Sequence, residues 1–214
     1  MKKYLVILFC LVGLAVSQTA NALSMQYNLT SNHCTNAAGC GAPGTVFGDV
    51  TLTQTGTTVD ITVGLNNPPY AFVKDGSTDF LAFKFNGTDV ALTDITIDPH
   101  SPALVAVGGS FNGDGTGSFA FGINCASCAN GNPGSFSTDI LFHVANATIA
   151  DLTTTPLPLN GNGNYFVADV INTATGLTGP VDASNGVPDG GSTVTLLGSV
   201  LLGLAVLRRR FGKN

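Results

Sequence analysis

An all-β fold, an antiparallel β-sandwich of jelly-roll type lying between two apolar terminal segments, is what this sequence predicts. Three observations lead to it. Apolar residues alternate with Thr, Asp and Gly at period two through the central chain, the pattern of half-buried strands. Clusters of Gly, Asn and Pro, the residues that favour turns, separate these runs. No window of about 12 residues between the two ends sustains a helical period.

The elements follow in order. Val50 and Leu52 alternate with Thr51 and Thr53, and Val59, Ile61, Val63 and Leu65 alternate with Asp60, Thr62 and Gly64. Leu81, Phe83 and Phe85 fall on one side of a strand, with Ala82 and Lys84 on the other. Further strands are expected over 90–97, 103–107, 118–123, 140–145 and 165–171. Thr55-Gly56, Asn86-Gly87 and Asn112-Gly113 have the composition of hairpin turns. Residues 23–186 are a suitable length for one such domain.

The charge distribution is lopsided. The chain has 8 Lys and Arg and 13 acidic residues among 214, and every acid is Asp. Six of the cations lie at the two ends, so Lys74 and Lys84 alone face twelve aspartates between residues 23 and 187. Such a body lacks the cations that neutralise phosphates, which excludes nucleic acid as a partner. Thr at the outward strand positions accounts for a polar surface with few charges, because Thr suits strands and hydrogen-bonds to water.

The two ends carry targeting patterns. Residues 1–22 read as a secretory signal: Lys2 and Lys3, an apolar run over 4–16, and Ala20-Asn21-Ala22 as a small-x-small site for signal peptidase. Phe9 before Cys10 argues against lipidation there, where a small residue is needed. Residues 187–214 hold Val187-Pro188-Asp189-Gly190-Gly191, an apolar run over 193–207, and Arg208-Arg209-Arg210. As a helix that run spans ~22 Å, short of a hydrocarbon core of about 30 Å. It is a marginal membrane helix. The arginines place its C-terminal end in the cytoplasm by the positive-inside bias.

A V-P-D motif, a Leu/Gly-rich helix and a terminal Arg cluster, in that order, resemble the sorting signals of exosortase-processed bacterial proteins. The likeness is to the PEP-CTERM group, and especially its VPDSG-CTERM variant. The chain departs from that variant in having Gly190 where Ser is usual. The resemblance implies transient inner-membrane insertion, cleavage near residues 188–191 by a membrane-embedded cysteine protease, and release or attachment outside. It also implies a Gram-negative-type bacterium that makes exopolysaccharide, a potential partner of the exported protein. The body is similar to a glycine-rich type of PEP-CTERM passenger domain over 48–63, 115–132 and 163–171. No activity is carried over with that likeness.

Cys34, Cys40, Cys125 and Cys128 remain once Cys10 is set aside with the signal. An even number in an exported chain reads as two disulfides, with three pairings open. Cys34–Cys40 with Cys125–Cys128 is preferred, since both close short Gly/Asn-rich loops. The competing readings are a four-cysteine zinc site or a Cys125-x-x-Cys128 redox pair. The first pair's five-residue interval argues against zinc, and the absence of a βαβ context argues against redox work.

His33, His100 and His143 show no metal-ligand spacing, and His143 is expected to face solvent. No G-x-S-x-G elbow or Ser/His/Asp set stands out, and Asp60, Asp79, Asp89, Asp94 and Asp98 are too scattered to single out a carboxylate pair. The expectation is a non-enzymatic exported protein of the cell surface, biofilm or exopolysaccharide matrix, with no required cofactor. The alternative is a carbohydrate- or calcium-binding module. Asp75-Gly76-Ser77-Thr78-Asp79 and Asn112-Gly113-Asp114-Gly115 read equally as calcium loops or as turns. Tyr70, after two Asn and two Pro, is the candidate sugar platform.

Overall fold

The computed structural model describes residues 23–34, 39–42, 44–74, 81–113, 116–153, 164–183 and, for the backbone, 186–188. The predicted signal segment, the loop over 75–79, Asp114 and Gly115, and everything after Pro188 lie outside the described residues.

The clearest period-two runs form a hairpin. Its strands, β3 (Gly48–Thr55) and β4 (Thr58–Leu65), are in register from Gly48 opposite Leu65 to Thr55 opposite Thr58. Gly56 takes the first loop position at φ 63°, which a two-residue turn with Gly first requires. The expected turn at Thr55-Gly56 is borne out. This hairpin is the middle of sheet A, whose order is β13 (Gly186–Pro188), β1 (Leu23–Leu29), β3, β4, β10 (Ile140–Ala145) and β7 (Ile95–Ile97).

Sheet B runs β2 (Ser31–Asn32), β12 (Leu177–Ala183), β11 (Phe166–Asn172), β6 (Phe83–Phe85), β9 (Ser118–Asn124) and β8 (Val105–Asn112), and β5 (Tyr70–Phe72) also pairs β11. Every described strand pair is antiparallel. The single described α-helix is short, α1 (Ile149–Thr153). Gln54 ties it to the hairpin: its amide donates to Gly56 and Ala147 carbonyls and its oxygen accepts from Ile149 N. Among the described residues no helix is long and apolar enough to cross a membrane.

The two sheets face each other across one apolar core. Val50, Leu52, Val59, Ile61 and Val63 point inward while their Thr and Asp neighbours are only half-buried, as the alternation predicts. Aromatic rings join the layers. Phe142 of sheet A lies 5.2 Å from Phe85 and 6.1 Å from Phe83 of sheet B, ring centre to ring centre, and Tyr27 meets Phe166 edge-on at 5.2 Å. Each such pair is worth about 0.5–1.5 kcal/mol beyond its buried area.

Three local expectations are corrected, and a fourth holds with an addition. Residues 90–97 are not one strand: Leu92–Asp94 is a 3₁₀ turn and only Ile95–Ile97 pairs. The Asp94 carboxylate accepts from Ala91 N at 2.9 Å and so keeps the backbone turned. Asn86-Gly87 is not a hairpin, because β6 and the following strand β7 belong to different sheets. The buried Asn86 amide instead donates to Ser118 O and accepts from Ala120 N, standing in for a peptide group beside β9. The strand expected over 103–107 runs from Val105 to Asn112, with an irregularity between Gly108 and Phe111. Finally, Lys84 does alternate with Phe83 and Phe85, but both sides of β6 are buried.

Candidate functional site

Alternation on β10 sends Phe142 and Val144 into the core and His143 to the outer face of sheet A. Register then sets His143 opposite Asp60 on β4 and Thr96 on β7. Its Nδ1 lies 2.7 Å from Asp60 Oδ1, and its Nε2 2.8 Å from Asp98 Oδ1, just beyond β7. The ring is 41% exposed, as expected for an outward position, yet held by carboxylates on both sides. The hydrogen bond with Asp60 is the main cause of a raised imidazole pKa; partial burial opposes it and Asp98 reinforces it. Burial pushes the Asp60 carboxyl up, but bonds from His143 and Thr55 outweigh that and bring it below its ordinary value. The two imidazole nitrogens diverge, so one metal ion cannot collect both of them with both carboxylates. Among the described residues no group of three or more His, Cys and Asp is placed to hold a metal.

A second cluster, missed in the sequence, sits where β2 meets β12. Ser31 Oγ is 3.0 Å from His33 Nε2, and Asp182 Oδ2 is 2.7 Å from the same nitrogen. Burial raises the Asp182 carboxyl pKa, and His33 and Ser31 partly offset it. These are the residue types of a nucleophilic triad. A triad, however, needs serine and aspartate on opposite imidazole nitrogens, so that the base can relay the proton. Here both approach Nε2, and the arrangement does not activate Ser31.

The first disulfide is built next to this cluster. Cys34–Cys40 and Cys125–Cys128 are the observed pairs, with Cα separations of 5.6 and 5.4 Å. The preferred pairing is therefore seen, and all four thiols are used up. The side chain of Asn32 accepts from Cys34 N and Cys40 N and donates to Gly41 O. Asn172, in the β11–β12 hairpin, donates to Cys40 O at 2.7 Å.

Tyr70 is not a sugar platform. It is 7% exposed and packs edge-on against Phe47, 4.9 Å between ring centres. Tyr27 is also buried and Tyr165 half-buried. A groove of about 360 Å³ is lined by Leu92, Ile95, Thr96, Ile97, Leu104, Val105 and Ala106, where the two sheets end in β7 and β8. His100 turns to its own loop, Nδ1 lying 2.7 Å from Pro102 O.

Of the sorting motif, Val187 and Pro188 are described. They lie in β13, opposite Gln26 and Met25 of β1. Asp189, Gly190, Gly191, Arg208, Arg209 and Arg210, like Ala20 and Ala22, lie outside the described residues. The fold and this C-terminal address define a disulfide-braced β-sandwich whose outer strand runs straight into a sorting signal. The family model of the VPDSG-CTERM motif matches residues 186–211, so the chain carries a PEP-CTERM-like exosortase sorting signal. That signal implies export to the cell surface and processing by an exosortase. No curated protein and no solved structure matches the chain.

Proposed function

We propose that this is a non-enzymatic surface protein, delivered by exosortase processing to the cell envelope or the exopolysaccharide matrix. In this reading a signal peptidase removes residues 1–22 after export. The segment over 193–207 holds the chain transiently in the inner membrane, with Arg208–Arg210 in the cytoplasm. The observation that carries the reading is the VPDSG-CTERM match over residues 186–211, which begins in the last strand of the β-sandwich. Cleavage near residues 188–191 then releases the domain with its last strand in place.

The histidine geometry supports a non-catalytic role. His143 has both nitrogens against carboxylates, and His33 has serine and aspartate on one nitrogen. Neither offers a free base aligned with a nucleophile. Four cysteines closed as disulfides leave no thiolate among them.

The test is made in a host that has its own exosortase. Arg208–Arg210→Ala and Pro188→Ala variants should accumulate as a longer membrane-bound form, while the natural chain appears outside as a shorter one. Equal processing of all three would end the sorting assignment. The exported product should also give no turnover on a panel of polysaccharides and esters; clear turnover would remove the non-enzymatic reading while leaving the sorting step intact.

A further inference from the structure

A neutral imidazole has one N–H and one lone pair, so it donates to one carboxylate only. His143 faces two, with Nδ1 2.7 Å from Asp60 and Nε2 2.8 Å from Asp98. The arrangement is complete only when the ring carries both protons. Remove one, and a lone pair faces a carboxylate oxygen at less than 3 Å, which is repulsive.

The two carboxylates are not held equally. Asp60 lies in the interior of sheet A, on a strand paired along both edges, and its second oxygen accepts from Thr55 Oγ1 at 2.8 Å. Asp98 follows an edge strand that has three register pairs with β10, and its N donates to Leu141 O. The weaker side gives way first.

We infer that Asp60, His143 and Asp98 form a pH-operated latch: the imidazolium pins the end of β7 to sheet A, and loss of one of its protons frees Asp98 and loosens β7. The consequence reaches the neighbouring groove, because Ile95, Thr96 and Ile97 of β7 form one wall of it against Leu104, Val105 and Ala106. Leu92 and Val105 are already 42% and 47% exposed there. The loosened state therefore presents more apolar surface than the closed one.

The surroundings favour the protonated state. Thr96 is the direct β7 neighbour of His143, and Thr53 lies beyond Asp60 on β3. Other titratable groups on this sheet or beside it include Asp49 on β3, Asp94 before β7, Asp139 before β10 and His100 after Asp98, while Tyr27 of β1 is buried in the core. Asp94 is engaged by Ala91 N and Asn146 Nδ2. Of the described cations, Lys84 belongs to sheet B and Lys74 follows β5, so no described lysine or arginine on sheet A competes for these carboxylates. The hydrogen bonds raise the imidazole pKa. The latch is thus closed below the ordinary histidine range and opens as pH rises through the raised value.

Hydrogen exchange followed by mass spectrometry on the full chain in detergent tests this, with rates corrected for intrinsic exchange. Protection of residues 95–98 should fall about tenfold between about pH 5.5 and about pH 9. Asp98→Asn supplies an amide N–H that bonds to the neutral ring, so its protection should change less than about twofold. His143→Gln cannot bridge two carboxylates and should be poorly protected at both values. Equal wild-type protection at the two pH values, or an unchanged pH response in Asp98→Asn and His143→Gln, would overturn the latch. If the variants do not fold, the wild-type imidazole ¹⁵N shifts decide: a neutral His143 ring at about pH 6.5 overturns the proposal, and a doubly protonated one supports it.

Discussion

Lys84 Nζ lies 2.8 Å from Asp169 Oδ2 on the outward side of β6 and β11, with side chains 2% and 3% exposed. An outward position in a two-sheet sandwich is ordinarily wet. Here β11 is buried along its whole length, so both charges are removed from water and stabilise each other at short range. Lys84→Met takes the Lys84 ammonium away from the buried Asp169 carboxylate and should cost about 3–5 kcal/mol. Lys84→Met combined with Asp169→Leu should lie closer to wild type than either single change. A double-mutant cycle by urea denaturation measures this, and simple additivity would contradict it.

The disulfides close short loops, with sequence separations of 6 and 3. Loop-closure entropy then assigns each a modest stabilisation, about 2 kcal/mol. Cys34→Ala/Cys40→Ala should cost slightly more than Cys125→Ala/Cys128→Ala, since its loop is longer. Thermal melts of the two double variants give the comparison. Non-reducing peptide mapping should recover the same two links, and a cross-link between the two loops would refute the pairing.

Gly48 opens β3 opposite Leu65, and a Cβ there would stand 2.1 Å from Gly64 O. That oxygen belongs to the paired strand, so the backbone itself must shift. Gly48→Ala should destabilise by about 1–3 kcal/mol. At Gly56 a Cβ meets nothing within 4 Å; only its φ of 63° penalises Ala, by about 1 kcal/mol. Denaturation midpoints that place Gly56→Ala below Gly48→Ala would contradict this ranking.

β13 covers the outer edge of β1 over three register pairs. A chain ended after Pro188 keeps that strand, and one ended after Asn185 bares the uncharged edge LSMQYNL. The shorter chain should lose about 1–2 kcal/mol and melt roughly 2–8 °C lower. It should also self-associate more readily, since an open edge strand pairs with other chains. Calorimetry and light scattering on the two forms check both effects; identical behaviour would mean that β13 adds nothing.

The pH dependence of stability has a definite sign at the two ends of the range. The raised His143 pKa contributes stability that is fully present below the ordinary histidine value and is lost as pH rises through the raised one. The lowered Asp60 pKa contributes stability present above the ordinary aspartate value and lost as pH falls through the depressed one. His143→Gln should therefore flatten the alkaline side of a melting-temperature profile and weaken the acid-side dependence due to Asp60. A profile with unchanged slopes on both sides would exclude this coupling.

Local patterns were enough for the all-β class, the inward faces of β3 and β4, the Thr-lined outward positions, the preferred cysteine pairing and the C-terminal address. Each depends on residues close together in the chain: period two assigns a face, six- and three-residue separations close a loop, and a sorting signal is read as a linear string. Strand β12 was not legible, because Gly179 and Pro180 read as breakers. It is nonetheless held by β11 along seven residues. Tyr70 looked exposed after its prolines, and only packing against Phe47 decided otherwise.

The chemistry of the site belongs to the tertiary structure. His143 meets Asp60 from 83 residues away and Asp98 from 45, and Lys84 meets Asp169 from 85. Alternation says that such residues point outward, but not which neighbours they find there. Strand order and register settle that, and both are fixed by how two sheets bury one core. Linear pattern alone carries the export address and the kind of layer into which this chain folds. Only the folded sheets decided which of its scattered aspartates hold its few cationic groups.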